Sequence, residues 1–246
     1  MRLAIVYFTT ENNKEIWPIT LPDMLSVAEF LEGECFVAGD FNVETIDYDR
    51  AKECAFIVTP FGKITDVLLQ VLITLRGERF THVFLYLDDF LLTRNVDFLL
   101  LSEALKYVKD TNALYLSLSA KPRDDSLVGR FFKNEKLIRS VGYDEPYPTS
   151  LRPSVWDLNF FIGTVEVSKD LWEVERNPLN QNISRLFCCT ESVVPVWHLV
   201  EKGRPNPLNI FYKRAREMYD TPMLEIFSMS GIMQFFRWLK VRVLGN

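Results

Sequence analysis

A continuous apolar run of roughly 18 residues is missing from this sequence, so no transmembrane helix is expected. The opening stretch from Met1 to Phe8 is too short and too soon polar for a signal peptide, which points to a cytoplasmic protein. Cysteine occurs only at Cys35, Cys54, Cys188 and Cys189, with no Cys-x-x-Cys pair. Buried thiols in a reducing compartment are expected rather than disulfides or a zinc site. Glycine is scarce, 10 in 246 residues, which weakens any reading built on Gly-rich phosphate loops. Walker, Rossmann, Gly-x-Ser-x-Gly and zinc-deaminase patterns are all absent, so nucleophilic serine or cysteine catalysis has no support.

What is present is a foldable, unevenly charged chain. Nearly half the residues are hydrophobic, enough for a buried core. From Lys202 onward there are eight Lys/Arg against three Asp/Glu, while the first 201 residues hold 20 against 30. An acidic body argues against nucleic-acid binding, and a basic tail permits contact with an anionic surface.

Strand-like and helix-like segments alternate. Leu3–Phe8 reads as a first strand, 22–31 as a helix, 35–38 as a second strand and 42–46 as a further short one. Ala55–Thr59 is another strand, followed by a helix to Arg76 that stops at Gly77. His82–Leu87 is a continuous apolar strand of the kind buried on both faces of a parallel sheet. A helix over 96–109 and a strand over 113–118 follow. The pattern predicts an α/β fold with an open, mostly parallel sheet flanked by helices. Residues 192–199 read as a last strand, and 211–219 and 226–243 as a helical C-terminal extension.

Asp88 and Asp89 follow the apolar strand at its carboxyl end, where open α/β sheets bind their ligands. Adjacent carboxylates repel and call for a cation or hydrogen-bond donors. Hard oxygen ligands suit Mg²⁺ or Mn²⁺, ions often shared with substrate phosphates. The plainer alternative is a solvated loop pair capping the next helix. A dehalogenase-type Asp-x-Asp motif is excluded, because Phe90 stands two positions after Asp88.

The stretch from Phe84 to Thr93, with Val96 and Asp97 after it, resembles a group of bacterial polysaccharide and lipopolysaccharide glycosyltransferases that carry an Asp-Asp-Phe motif. Later segments agree in order: Ala113–Leu118, Pro148–Trp156, Leu171–Glu175 and Val200–Arg204. The resemblance covers roughly residues 1–205. It departs at Arg152, where glutamine is usual, and at Val174, where phenylalanine is usual. It implies a GT-A-like catalytic domain over 1–205 with an extension over 206–246. It also implies a nucleoside-diphosphate-sugar donor, a saccharide acceptor, a divalent metal and inversion at the anomeric carbon. By the same likeness Asp88 and Asp89 contact the metal and the ribose or diphosphate, with Thr9, Thr10 and Asp40 near the nucleoside.

Other residues have two readings each. Glu173 and Glu175, two apart in an extended segment, face one side and suit the catalytic base, or they are a solvated acidic loop. His198 is a third metal ligand or a structural histidine. Lys202 and Arg204 hold the diphosphate or form a solvated basic turn. Trp156 and Trp172 stack on a sugar or base, or fill the core. Ser150 and Arg152 line the substrate pocket. The basic and aromatic 229–243 segment lies on a membrane surface near a lipid-linked acceptor, or docks on protein. Two rival functions stand beside the transferase: a non-catalytic subunit of GT-A shape and a metal-dependent phosphoesterase.

Overall fold

The computed structural model describes residues 1–46, 48–92, 95–120, 137–142, 145–176, 183–198, 200–201 and 204–205. Met1–Val196 is one compact unit. Its centre is an eight-stranded sheet ordered β3-β2-β1-β4-β8-β6-β9-β7. The strands are β1 (Leu3–Thr10), β2 (Glu34–Asp40), β3 (Ala55–Val58), β4 (His82–Leu87), β6 (Tyr115–Ser117), β7 (Ile138–Ser140), β8 (Ser154–Asp157) and β9 (Leu186–Cys189). A short strand β5 (Phe90–Leu92) lies outside that sheet. β1 pairs in parallel with β2 and β4, and β2 with β3. β8 runs antiparallel to both β4 and β6, β9 runs parallel to β6, and β7 opposes β9. The fold is therefore α/β with a mostly parallel sheet.

The period-two alternation of the strands divides the core into two layers. Ile5, Tyr7, Phe84 and Tyr86 face α1 (Trp17–Leu31) and α3 (Phe98–Thr111). Ala4, Val6, Val83 and Leu85 face the opposite way. There α2 (Ile64–Gly77) buries Val67, Leu68, Val71, Leu72 and Leu75, spaced three and four apart, each burial contributing roughly 1.5–3 kcal/mol. α4 (Leu158–Val167) packs in the same layer, and α5 (Leu171–Arg176) adds Val174 to it. Asp97 caps α3 by accepting from Leu100 N at 3.1 Å.

Two local expectations are corrected. The first helix starts at Trp17, not Pro22, because Pro18 in the first turn supplies a preset φ and sacrifices no helical hydrogen bond. Residues 43–45 form a 3₁₀ turn rather than a strand, nucleated by Asn42, whose side chain accepts from Glu44 N at 3.0 Å. From Trp197 onward the chain belongs to a second unit. There β11 (Val200–Glu201) pairs antiparallel with β12 (Arg204–Pro205), and β10 (Val196–His198) precedes them. The extension over 206–246 lies outside the described residues.

Candidate functional site

The sheet changes direction of growth at β1. The chain lays β2 and β3 on one side of it, then returns to place β4 on the other. Such a switch point leaves a crevice beyond the carboxyl ends of the two strands. Thr9 and Thr10 end β1, and Asp88 follows β4, so the structure brings these predicted residues together at that crevice. Asp88 N donates to Phe8 O at 3.1 Å, carrying the pairing one residue past β4.

Asp88 is 5% exposed and fully held. Its Oδ2 accepts from Thr9 Oγ1 at 2.5 Å and from Thr10 N at 3.4 Å, and its Oδ1 accepts from Asn13 Nδ2 at 3.0 Å. Trp17 Nε1 in turn donates to Thr9 Oγ1 at 2.7 Å. All these donors are neutral. Burial, aided by the charge of neighbouring Asp89, therefore outweighs the hydrogen bonds and pushes the Asp88 carboxyl up to about 7. Below it lies a packed aromatic floor: Tyr7 stacks on Tyr86 at 6.3 Å, and Trp17 meets Phe41 edge-on at 5.2 Å. Tyr7 is anchored by a 2.6 Å bond to Thr20.

Two predicted assignments change. Thr9 is 1% exposed and its hydroxyl is spent on Asp88 and Trp17, so it positions the carboxylate and has no side chain to offer a ligand. Asp88 likewise turns its oxygens toward the β1 loop, while Asp89 is half-buried beside it. Asn13 and Trp17 were not predicted. The Asn12–Asn13 pair signals only a turn in sequence, and nothing local ties Trp17 to a residue 71 positions on.

Asp40 ends β2 level with Thr10. Its Oδ1 is buried and has no hydrogen-bond partner among the described residues. Burial raises its carboxyl, and Glu11 adds to the shift. Glu11 crosses the same gap, its Oε2 accepting from Asn42 N at 2.9 Å. Gly39 makes the close approach possible: its φ is +150°, and a Cβ there would lie 1.8 Å from Thr9 O.

The antiparallel sense of β8 brings a second loop to the same end of the sheet. Ser154 pairs with Leu85, so the residues preceding it, including Ser150 and Arg152, stand at the carboxyl end of β4. Glu175 clamps this loop, Oε1 accepting from Ser150 Oγ at 3.1 Å and from Leu151 N at 2.8 Å. Thr149 Oγ1 donates to Val174 O at 2.8 Å.

The segment that carries Glu173 and Glu175 is helical, which corrects the extended geometry. Residues two apart on a helix stand about 200° apart, so the two carboxylates do not share a face. Glu173 Oε2 accepts from Lys169 N at 2.8 Å, closing the turn before the helix. Trp156 is also corrected. Its ring is fully buried against Phe161 at 4.2 Å, its Nε1 donates to Ser154 Oγ at 2.9 Å, and it belongs to the core. Trp172 is 60% exposed and open to a partner. His198 is placed only as a strand residue and Arg204 likewise, their side chains lying outside what is described. Lys202 lies outside the described residues.

No three His, Cys, Asp or Glu side chains converge among the described residues. At the rim the half-buried Asp89 carboxylate stands beside Asp88, whose oxygens face the β1 loop. That set fits an ion which takes one or two carboxylates from protein and its remaining oxygens from phosphate and water, as Mg²⁺ does, and does not fit a closed all-protein site.

Neither a protein-family model nor a curated protein sequence matches the chain. Solved structures do. A putative nucleotide-diphospho-sugar transferase from Desulfovibrio desulfuricans is 10% identical over 90% of each chain, with a TM-score of 0.47. TarS 1-349 of S. aureus in complex with UDP-GlcNAc is 13% identical over 82% of this chain and 59% of that one, at 0.47. The mannose-1-phosphate geranyltransferase from Thermus thermophilus is 12% identical over 80% and 76%, at 0.44. No helix among the described residues is long and apolar enough to cross a membrane.

Proposed function

We propose that the chain is a GT-A-like glycosyltransferase that moves a sugar from a nucleoside diphosphate to a saccharide acceptor, with inversion, in the making of a surface polysaccharide or lipopolysaccharide. The observation that carries this reading is the Asp88–Asp89 pair at the switch point between β1 and β4, with Asp88 held by the β1 loop. A nucleoside lies over the ends of β1 and β2, beside the half-buried Asp40. Thr10 borders the same place through its backbone.

Asp89 would hold Mn²⁺ or Mg²⁺, and the β1 loop fixes the carboxylate of Asp88 next to it in the chain. When bound, the ion supplies positive charge against the departing diphosphate. The Ser150–Arg152 loop, clamped by Glu175, forms the acceptor wall, with exposed Trp172 on the same short helix as the clamp. Glu173, whose Oε2 accepts from Lys169 N, is the candidate base by its place in the Leu171–Glu175 likeness alone, and Glu175 acts through the loop it positions. Lys202, Arg204 and His198 are assigned to the diphosphate and metal by sequence likeness only. The basic 229–243 segment is assigned, on its composition, to an anionic lipid surface that carries the acceptor.

Calorimetry with UDP-, GDP-, dTDP- and CMP-sugars, with and without Mn²⁺, tests the reading on the wild type and on Asp89→Asn. One donor binding only with metal, and lost in the variant, supports it. No donor binding under either condition sinks it. Metal-dependent hydrolysis of simple phosphate esters without any acceptor would replace it with a phosphoesterase. Binding of a donor with no transfer to any acceptor, in a chain whose Asp88 is already satisfied by its own protein, would identify a non-catalytic subunit.

A further inference from the structure

The amino ends of β2 and β3 carry a separate chemical group. The register Phe36 opposite Ala55 brings Cys35 on β2 alongside Cys54, the residue that leads into β3. The Cys54 thiol and burial together push the Cys35 thiol well above its usual range. Cys35 Sγ also lies 3.7 Å from Sδ of Met24 on α1. Met24 is fully buried and Cys54 is buried, while Cys35 is half-buried. Cys35 opens on a cavity of about 820 Å³ whose wall also carries Arg50 and Glu53. Both cysteines are reduced.

We propose that Cys35, Cys54 and Met24 form a three-sulfur site for one soft monovalent cation of the cuprous type. Thiolate and thioether ligands together select Cu(I) over hard ions, and a three-ligand set falls short of the four that structural zinc takes. Sulfurs each about 2.3 Å from one ion, spread at about 120°, stand about 4 Å apart. The 3.7 Å between Cys35 and Met24 is close to that spacing.

A direct Cys35–Cys54 bond is less well served. It needs Cβ atoms about 3.5–4.5 Å apart and a dihedral near about 90°. Neighbouring strands lie about 4.8 Å apart with directly opposed side chains running alongside each other.

On binding, two S–H protons pass to solvent, two S–Cu bonds form, and Met24 adds a dative bond. No electron moves. The site keeps one negative charge. Arg50 stands on the cavity wall and pairs with Glu53 at 3.1 Å. The cavity is the entry path. Cys35 and Asp40 are five residues apart on β2, about 17 Å, so the site is independent of the transferase reading.

The test is an anaerobic titration of the full chain with Cu(I), supplied as its acetonitrile complex, against a colorimetric Cu(I) chelator. Sulfur ligation is read by X-ray absorption. One ion per chain is expected. Cys35→Ser and Cys54→Ser should weaken uptake by about 100-fold and Met24→Leu by about tenfold, with Cys189→Ser unchanged. If Cys54→Ser alters the circular dichroism spectrum, Cys35→Ser at the half-exposed position decides. No uptake, or uptake unchanged by Cys35→Ser, overturns the site. So does an air-formed Cys35–Cys54 disulfide in a chain whose reduced form takes no copper.

Discussion

Trp17 governs Asp88 through one oxygen atom. Its indole nitrogen donates to Thr9 Oγ1 at 2.7 Å, and the same hydroxyl donates to Asp88 Oδ2 at 2.5 Å. A hydroxyl has one proton to give and the indole only donates, so with Asp88 ionised the direction of the relay is fixed. Removing that oxygen should therefore harm two groups at once. Thr9→Val keeps the shape, leaves the indole N–H buried without an acceptor, and should cost about 2–4 kcal/mol in a urea melt. Thr9→Ser should restore most of it. Equal stability of the valine variant and the wild type would break the relay.

The pH dependence of stability should carry the mark of Asp88. Its carboxyl lies at about 7 in the fold against 3.8 in the unfolded chain, so the native state binds this proton more tightly. The contribution is fully present below about pH 4 and is lost as pH rises through about 7, on the order of a few kcal/mol. Asp88→Asn removes the titration, and Asn13 can reverse its amide to keep the contact. The melting temperature of the wild type should fall relative to the variant between about pH 4 and pH 7 and run parallel to it above about pH 8. Parallel profiles would exclude the shift.

Gly39 should tolerate no side chain. A Cβ 1.8 Å from Thr9 O cannot be relieved by a rotamer change, because the obstacle is backbone. Gly39→Ala must separate the ends of β1 and β2, at a cost of roughly 3 kcal/mol or more. Thermal melting measures the loss. Nucleotide binding should fall with it, whereas Gly77→Ala, where a Cβ meets nothing within 4 Å, should leave both near wild type.

Glu175 and Glu173 can be told apart by pairing glutamine with alanine. Glutamine at 175 keeps an acceptor for Leu151 N, so Glu175→Gln should retain most of kcat while Glu175→Ala loosens the 149–151 loop and raises the acceptor KM. A base behaves otherwise, and Glu173→Gln should lower kcat by about 10²–10⁴-fold, as much as alanine does. Loss of kcat in Glu175→Gln equal to that in Glu175→Ala would transfer the role of base to Glu175.

The strand before the carboxylate pair is legible because the unbroken apolar run from Val83 to Leu87 leaves few alternatives to a buried strand. The helix after it is legible too, 96–109 lying within two residues of Phe98–Thr111 at each end. The strand at Tyr115–Ser117 falls inside the 113–118 run, whereas the one at Ile138–Ser140 is too short to show any period, and only its partner β9 defines it. The helix at Leu171–Arg176 reads as extended because Trp172, Val174 and Arg176 alternate with acids, yet its burial is decided by one residue, Val174. At the site, pattern located the carboxylates but not what holds them. Thr9 and Asp88 are 79 residues apart, and no spacing rule links them.

The reversed course of β8 has a consequence for how this cleft can diversify. One wall is made by residues that trail their strands, Thr10, Asp40 and Asp89; the other is made by residues that lead into theirs, Ser150 and Arg152. The second wall hangs from Glu175 and Thr149, not from the carboxylate relay. Exchanging or lengthening the 149–153 loop can therefore retune which molecule meets the site while the opposite wall, with its Trp17–Thr9–Asp88 lock, stays untouched.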